Sequence, residues 1–145
     1  MTERTRGYAH RVDVAAAARA VWDALTDSHS LNLWCAPGAR ISARPGGSFR
    51  ANVDRVTETE ALIDIYEPPR RMRLIHLPSP EIASSRAALV DDFMLDEASG
   101  GATLRLLGSG FPSEELFDAI YLRRRIGWQR ALARLKVLVE GAARG

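Results

Sequence analysis

The sequence holds almost no cysteine and almost no lysine. Cys35 is the single cysteine in 145 residues, so an intramolecular disulfide is excluded and a reducing compartment suits the chain. Lys136 is the sole lysine among 20 basic residues. The arginines are dispersed and interleave with 18 acidic residues, leaving a formal net charge of +2. A concentrated basic surface for nucleic acid is therefore not expected. Long apolar runs are missing too, for none approaches the ~20 residues of a membrane span. The polar stretch Met1–Gly7 has no apolar segment of a signal peptide. The expected location is the cytoplasm, with neither membrane nor nucleic acid as a partner. Three scattered histidines, His10, His29 and His76, show no metal-ligand spacing. Gly-rich phosphate loops, Gly-x-Ser-x-Gly elbows and paired-carboxylate motifs are absent. No metal, cofactor or catalytic residue is expected, and the sequence favours binding over enzymatic activity.

What is present points to one domain over residues 1–145, with 1–6 expected to be flexible. A chain of this size buries roughly 68–70% of its unfolded surface, so it needs no covalent staples. Tyr8 to Val14 alternates as a first strand. Val21, Trp22 and Leu25 recur at helical spacing, so Ala16–Leu25 reads as a short helix. Asp27 is placed to cap a second helix through Leu33, which Pro37 and Gly38 end. Strand-like segments follow at Ile41–Arg44, Ser48–Asp54, Glu60–Tyr66, Met72–Leu77, Arg86–Leu95 and Ala102–Ser109. Pro45-Gly46-Gly47, Pro68-Pro69, the Pro78–Ser84 loop and Ser99-Gly100-Gly101 separate them. The alternation in Glu60–Tyr66 is ambiguous.

The last segment carries the strongest period. Ser113 follows Pro112 as a candidate cap, and Glu114 and Glu115 suit the positive end of a helix dipole. Phe117, Tyr121, Trp128, Leu132, Leu135 and Val139 then recur at helical spacing to about Glu140, before Gly141 as a natural stop. About 26 residues at ~1.5 Å each span nearly 40 Å. So long a helix must cross the whole molecule and needs a sheet to cover its apolar stripe. Trp22, Leu132 and Leu135 are expected in the core. Consecutive strands joined by short turns favour an antiparallel meander. The expected class is α+β: a curved six- or seven-stranded antiparallel sheet around a long C-terminal helix, with two short helices after the first strand.

These residues also carry a resemblance. Val21-Trp22-Asp23-Ala24-Leu25-Thr26-Asp27 and Leu33-Trp34 with Pro37 begin it, followed by Pro45-Gly46-Gly47-Ser48-Phe49 and Glu67-Pro68-Pro69-Arg70-Arg71-Met72. Gly101-Ala102-Thr103-Leu104, Gly110-Phe111-Pro112, Gly127-Trp128, Ala131-Leu132 and Leu135-Lys136 complete it. In this order the chain resembles the START-like (SRPBCC) helix-grip superfamily of the birch-pollen allergen and the polyketide cyclases. Within it, the chain is similar to the group named after the C-terminal domain of the heat-shock-protein ATPase activator. Three positions depart from that group's pattern. Trp34-Cys35 replaces a pair of aromatics, His76 an aromatic residue, and Gly108 a histidine.

The resemblance implies a ligand pocket between the long helix and the sheet's concave face. By alternation, Phe49, Leu74, His76, Asp91, Phe93 and Leu106 face that space, and Tyr121, Arg124 and Trp128 share the helix stripe toward it. The expected occupant is a small hydrophobic or amphipathic molecule, with rings and aliphatic walls around its body and His76, Asp91 and Arg124 at its polar end. The alternatives are a cyclase- or hydrolase-type enzyme using the same cavity, and a chaperone-type protein-interaction role like that of the ATPase activators. A homodimer is compatible with the sequence. Cys35 reads as packing rather than as a nucleophile, since no base is placed beside it. Arg123-Arg124-Arg125 reads as a solvated helix face, with binding of an anionic partner or ligand headgroup as the alternative.

Overall fold

A computed structural model describes residues 4–82 and 88–144. The chain runs as β1 (Thr5–Val14), α1 (Ala18–Thr26), α2 (Ser28–Trp34), β2 (Arg40–Ile41), β3 (Ser48–Ala51), β4 (Thr59–Glu67), β5 (Arg71–His76), β6 (Val90–Ala98), β7 (Gly101–Pro112) and α3 (Asp118–Arg144), with 3-10 turns at Pro80–Ile82 and Glu115–Phe117. The seven strands form one curved antiparallel sheet in the order β1-β7-β6-β5-β4-β3-β2. This is the expected helix-grip architecture. Thr5 and Arg6 already pair with β7, whereas flexible chain is expected there; residues 1–3, and the expected strand start at Arg86, lie outside the described residues.

Alternation decides which side chains meet α3. Phe49 and Ala51 on β3, Met72, Leu74 and His76 on β5, Asp91, Phe93 and Leu95 on β6, and Leu104 and Leu106 on β7 are all buried, as a strand's two-residue period requires. The ambiguous fourth segment has a physical cause. The β4–β5 register shifts between Ile63 and Ile65, so a bulge reverses the faces midway. Ala61 and Ile63 are buried before it, and beyond it Tyr66 turns inward onto the Trp22 ring at 5.7 Å.

Asp27 caps α2 as its position suggests, its carboxylate accepting from the Ser30 amide at 2.9 Å. The ends of α3 differ from expectation. The chain enters through the 3-10 turn at Glu115–Phe117, preceded by extended Glu114 and with no side-chain cap, so Ser113 stands outside the helix. Gly141 does not stop the helix, which continues to Arg144, because a glycine weakens but does not break an exposed helix end. Between these ends the buried residues Ile120, Arg124, Gly127, Trp128, Ala131, Leu132, Leu135 and Val139 form the stripe against the sheet. Gly127 is fixed by packing, for a Cβ there would lie 2.7 Å from the Val53 carbonyl. The segment after β3 therefore rests directly on α3.

Candidate functional site

A row of residues crosses four strands beneath the N-terminal half of α3. Tyr8 on β1 pairs with Gly108 on β7, Gly108 with Asp91 on β6, and Asp91 with Leu74 on β5. Gly108 carries no side chain, so the Tyr8 ring lies across it. A Cβ at Gly108 would fall 2.3 Å from the ring atoms Cε1 and Cζ. The Tyr8 hydroxyl thereby reaches past one strand and donates to Asp91 Oδ1 at 2.5 Å. His76, two residues beyond Leu74, places Nε2 2.6 Å from Asp91 Oδ2. Asp91 is 2% exposed, and both carboxylate oxygens are satisfied, as a buried charge requires.

Burial holds the Tyr8 hydroxyl pKa well above the usual tyrosine value, and the Asp91 charge raises it further. Tyr8 is thus a hydrogen-bond donor at neutral pH. His76 Nδ1 and Arg124 Nε are buried without a hydrogen-bond partner among the described residues. Arg124 is 1% exposed, which corrects the reading of Arg123-Arg124-Arg125 as a wholly solvated face. Its Nε lies 3.8 Å from the buried carboxylate of Asp54, and its guanidinium stands 6.0 Å from the Phe111 ring.

Apolar groups flank the polar row. Trp128 meets Phe93 edge-on at 5.4 Å and Phe49 at 6.4 Å, while Leu106 pairs with Phe93 across β6 and β7. Phe49, Leu74, His76, Asp91, Phe93, Leu106, Arg124 and Trp128 thus come together under α3. Tyr121 does not join them. It lies on the same stripe, but this end of the helix overhangs the start of β1. Its hydroxyl donates to the Gly7 carbonyl at 2.7 Å, at the β1 bulge where the ladder is interrupted. Its half-buried ring packs on Phe111 at 5.6 Å beneath the Arg6 guanidinium. Among the described residues, the expected walls Phe49, Phe93 and Trp128 pack against one another. Hollows of 310–460 Å³ elsewhere on the described surface are lined by other residues.

Tyr8, Phe111 and Asp54 belong to the site region without having been singled out from the sequence. Gly108 was the available signal, since a glycine inside a strand often marks a close approach. Cys35 is buried away from this row at the end of α2, and burial pushes its thiol up to about 12, so it stays protonated.

Gly108→Ala is expected to push the Tyr8 ring off Asp91 and to cost about 1–3 kcal/mol through overpacking. A urea midpoint equal to that of the native protein would show that the ring yields freely.

A family model described as Activator of Hsp90 ATPase homolog 1-like protein matches residues 15–140. No curated protein sequence matches the chain. Solved structures share its fold. Protein MLL2253 from Mesorhizobium loti is 19% identical with a TM-score of 0.78, over 94% of this chain and 98% of that one. The Aha1 dimer from Colwellia psychrerythraea is 18% identical with a TM-score of 0.76, over 93% and 96%. CalU16 from Micromonospora echinospora is 22% identical with a TM-score of 0.72, over 97% and 80%. Among the described residues no helix is long and apolar enough to cross a membrane.

Proposed function

The chain belongs to the Activator of Hsp90 ATPase homolog 1-like family, and from that premise we propose that it binds a small hydrophobic or amphipathic molecule between α3 and the sheet. The observation that carries this reading is a pair of buried polar atoms beside one apolar cluster that have no hydrogen-bond partner among the described residues: His76 Nδ1 and Arg124 Nε. An unpaired buried donor or acceptor costs about 1–3 kcal/mol. A ligand group meeting both would recover part of that cost, with Phe49, Leu74, Phe93 and Leu106 around its apolar body. Because these side chains are packed against one another, binding requires the Trp128 and Phe93 rings to move apart. Asp91 and Tyr8 act here by holding the His76 ring in place. The polar row orients and hydrogen-bonds, which favours binding over turnover.

The test is native mass spectrometry of the purified protein, followed by titration with the apolar fluorophore ANS monitored through tryptophan emission. A co-purifying small molecule, or ANS binding at about micromolar Kd (roughly −8 kcal/mol), is expected. Affinity should fall about tenfold or more in Phe93→Ala, provided the variant remains folded by circular dichroism. No retained mass and no ANS response in the native protein would overturn the reading.

A further inference from the structure

We propose that a second site, on the outer side of α3, binds a small soluble organic anion: a phosphate or carboxylate carried on a short apolar body. A hollow of about 360 Å³ lies there between the segment after β3 and the middle of α3, within the size range of ligand sites. Its lining includes four guanidiniums, from Arg55, Arg123, Arg130 and Arg134, and one carboxylate, Asp54. That carboxylate is turned inward. Its side chain is fully buried, Oδ1 accepts from the Val56 and Thr57 amides at 2.9 Å each, and Oδ2 faces Arg123 and Arg124.

Arg123 is further committed to Glu81 at 2.6 Å. The other three guanidiniums of the hollow form no ion pair among the described residues. Arg134 is held rigidly, donating to the Trp34 and Cys35 carbonyls at 2.9 and 3.3 Å. Burial lowers its pKa, and the neighbouring charges of Arg55 and Arg130 lower it further. Arg130 and Arg134 stand one helical turn apart, a like-charge spacing that opposes the helix. Arg55 is the one non-glycine residue with a left-handed backbone among those described, at φ 65°, a conformation that costs energy and gathers at functional positions. Three mutually repelling cations, one in a strained backbone and one pinned, are an arrangement that a bound anion stabilises through charge-assisted, bidentate hydrogen bonds.

Two further features define the ligand class. Arg123 Nε is buried at this site with no hydrogen-bond partner among the described residues, its nearest carboxylate oxygen being Asp54 Oδ2 at 3.6 Å. Leu122 and Ile126, on the hollow's rim, are 46% and 40% exposed. They offer an apolar body a surface that inorganic phosphate cannot use. The cations line one hollow beside two exposed aliphatic side chains, which suits a small anion with an apolar body better than a nucleic-acid backbone.

The experiment is isothermal titration of the full chain at low ionic strength with phenyl phosphate, inorganic phosphate and phenol. Phenyl phosphate is expected to bind about tenfold more tightly than inorganic phosphate, and phenol not at all. Arg130→Gln and Arg55→Gly should each weaken phenyl phosphate by about tenfold or more, a step of about one decade in Kd. Arg55→Gly also removes the left-handed strain, so its melting temperature should equal or exceed the native value, and lost binding then cannot be ascribed to unfolding. The proposal is overturned if phenyl phosphate fails to bind, if phenol binds equally well, or if Arg130→Gln and Arg55→Gly both bind phenyl phosphate like the native chain. It is also overturned if the protein sediments with phosphatidic-acid vesicles yet ignores phenyl phosphate, since the headgroup of a membrane would then be the ligand. None of these outcomes bears on the interior site.

Discussion

Replacing Trp128 with alanine is expected to destabilise the protein by about 3–5 kcal/mol, the range for removing a large aromatic ring from a core. Trp128 is 1% exposed and stands between Phe93 and Phe49. It is thus the side chain through which α3 grips two separate strands, β6 and β3. The loss is chiefly one of packing and of a residual cavity. Collapse into the space is restricted, because Gly127 already brings the segment after β3 against the helix backbone. Trp128→Phe should cost less, since a smaller ring keeps the contact with Phe93. Urea denaturation measures both. An alanine variant within about 1 kcal/mol of the native protein, well below the core range, would mean that α3 is held chiefly by Leu132, Leu135 and α2, and that the ring cluster is loose.

The regularly repeating parts of the fold were legible because period fixes face. Met72, Leu74 and His76, then Asp91, Phe93 and Leu95, alternate in the sequence and are buried together in the structure. The same rule fails in β4, where the shift between Ile63 and Ile65 changes the face midway and no local residue announces it. It also says nothing of which strand a residue will oppose. Tyr8 and Asp91 are 83 positions apart, and only the pairing of β1 with β7 and β7 with β6 brings them onto one row. The sequence presents Tyr8 as the first residue of a strand and Gly108 as a departure from a family pattern. That the glycine is the bed for the tyrosine ring is a property of the register. Arg124 was legible as part of the inward stripe and also as one of three consecutive arginines. The periodic argument is the one that holds, because a helix stripe is set by its rotation per residue and not by the company of neighbouring charges.

The row itself gives the last prediction. Asp91→Ala should cost about 2–6 kcal/mol, at about 1–3 kcal/mol for each of two buried donors left unsatisfied. It leaves the Tyr8 hydroxyl and His76 Nε2 buried with no acceptor. Tyr8→Phe should cost less, about 1–3 kcal/mol, since Asp91 keeps its bond to His76 and loses only one donor. The two changes share a hydrogen bond, so their effects should be coupled in a double-mutant cycle by about 0.5–3 kcal/mol. The pH dependence separates this from ordinary packing. The Tyr8 pKa is raised in the folded state, by burial first and by Asp91 second. Below a tyrosine's unfolded pKa of about 10, both states carry the proton and Tyr8 contributes its full stabilisation. Above it the unfolded chain releases that proton while the folded one retains it, so stability falls as pH rises toward the folded value. Tyr8→Phe should therefore lose stability less steeply than the native protein in urea melts carried above pH 10, even though it starts lower. Parallel alkaline limbs for the two proteins would mean that Tyr8 ionises in the fold as freely as in water, and that its hydroxyl is not held against the Asp91 carboxylate.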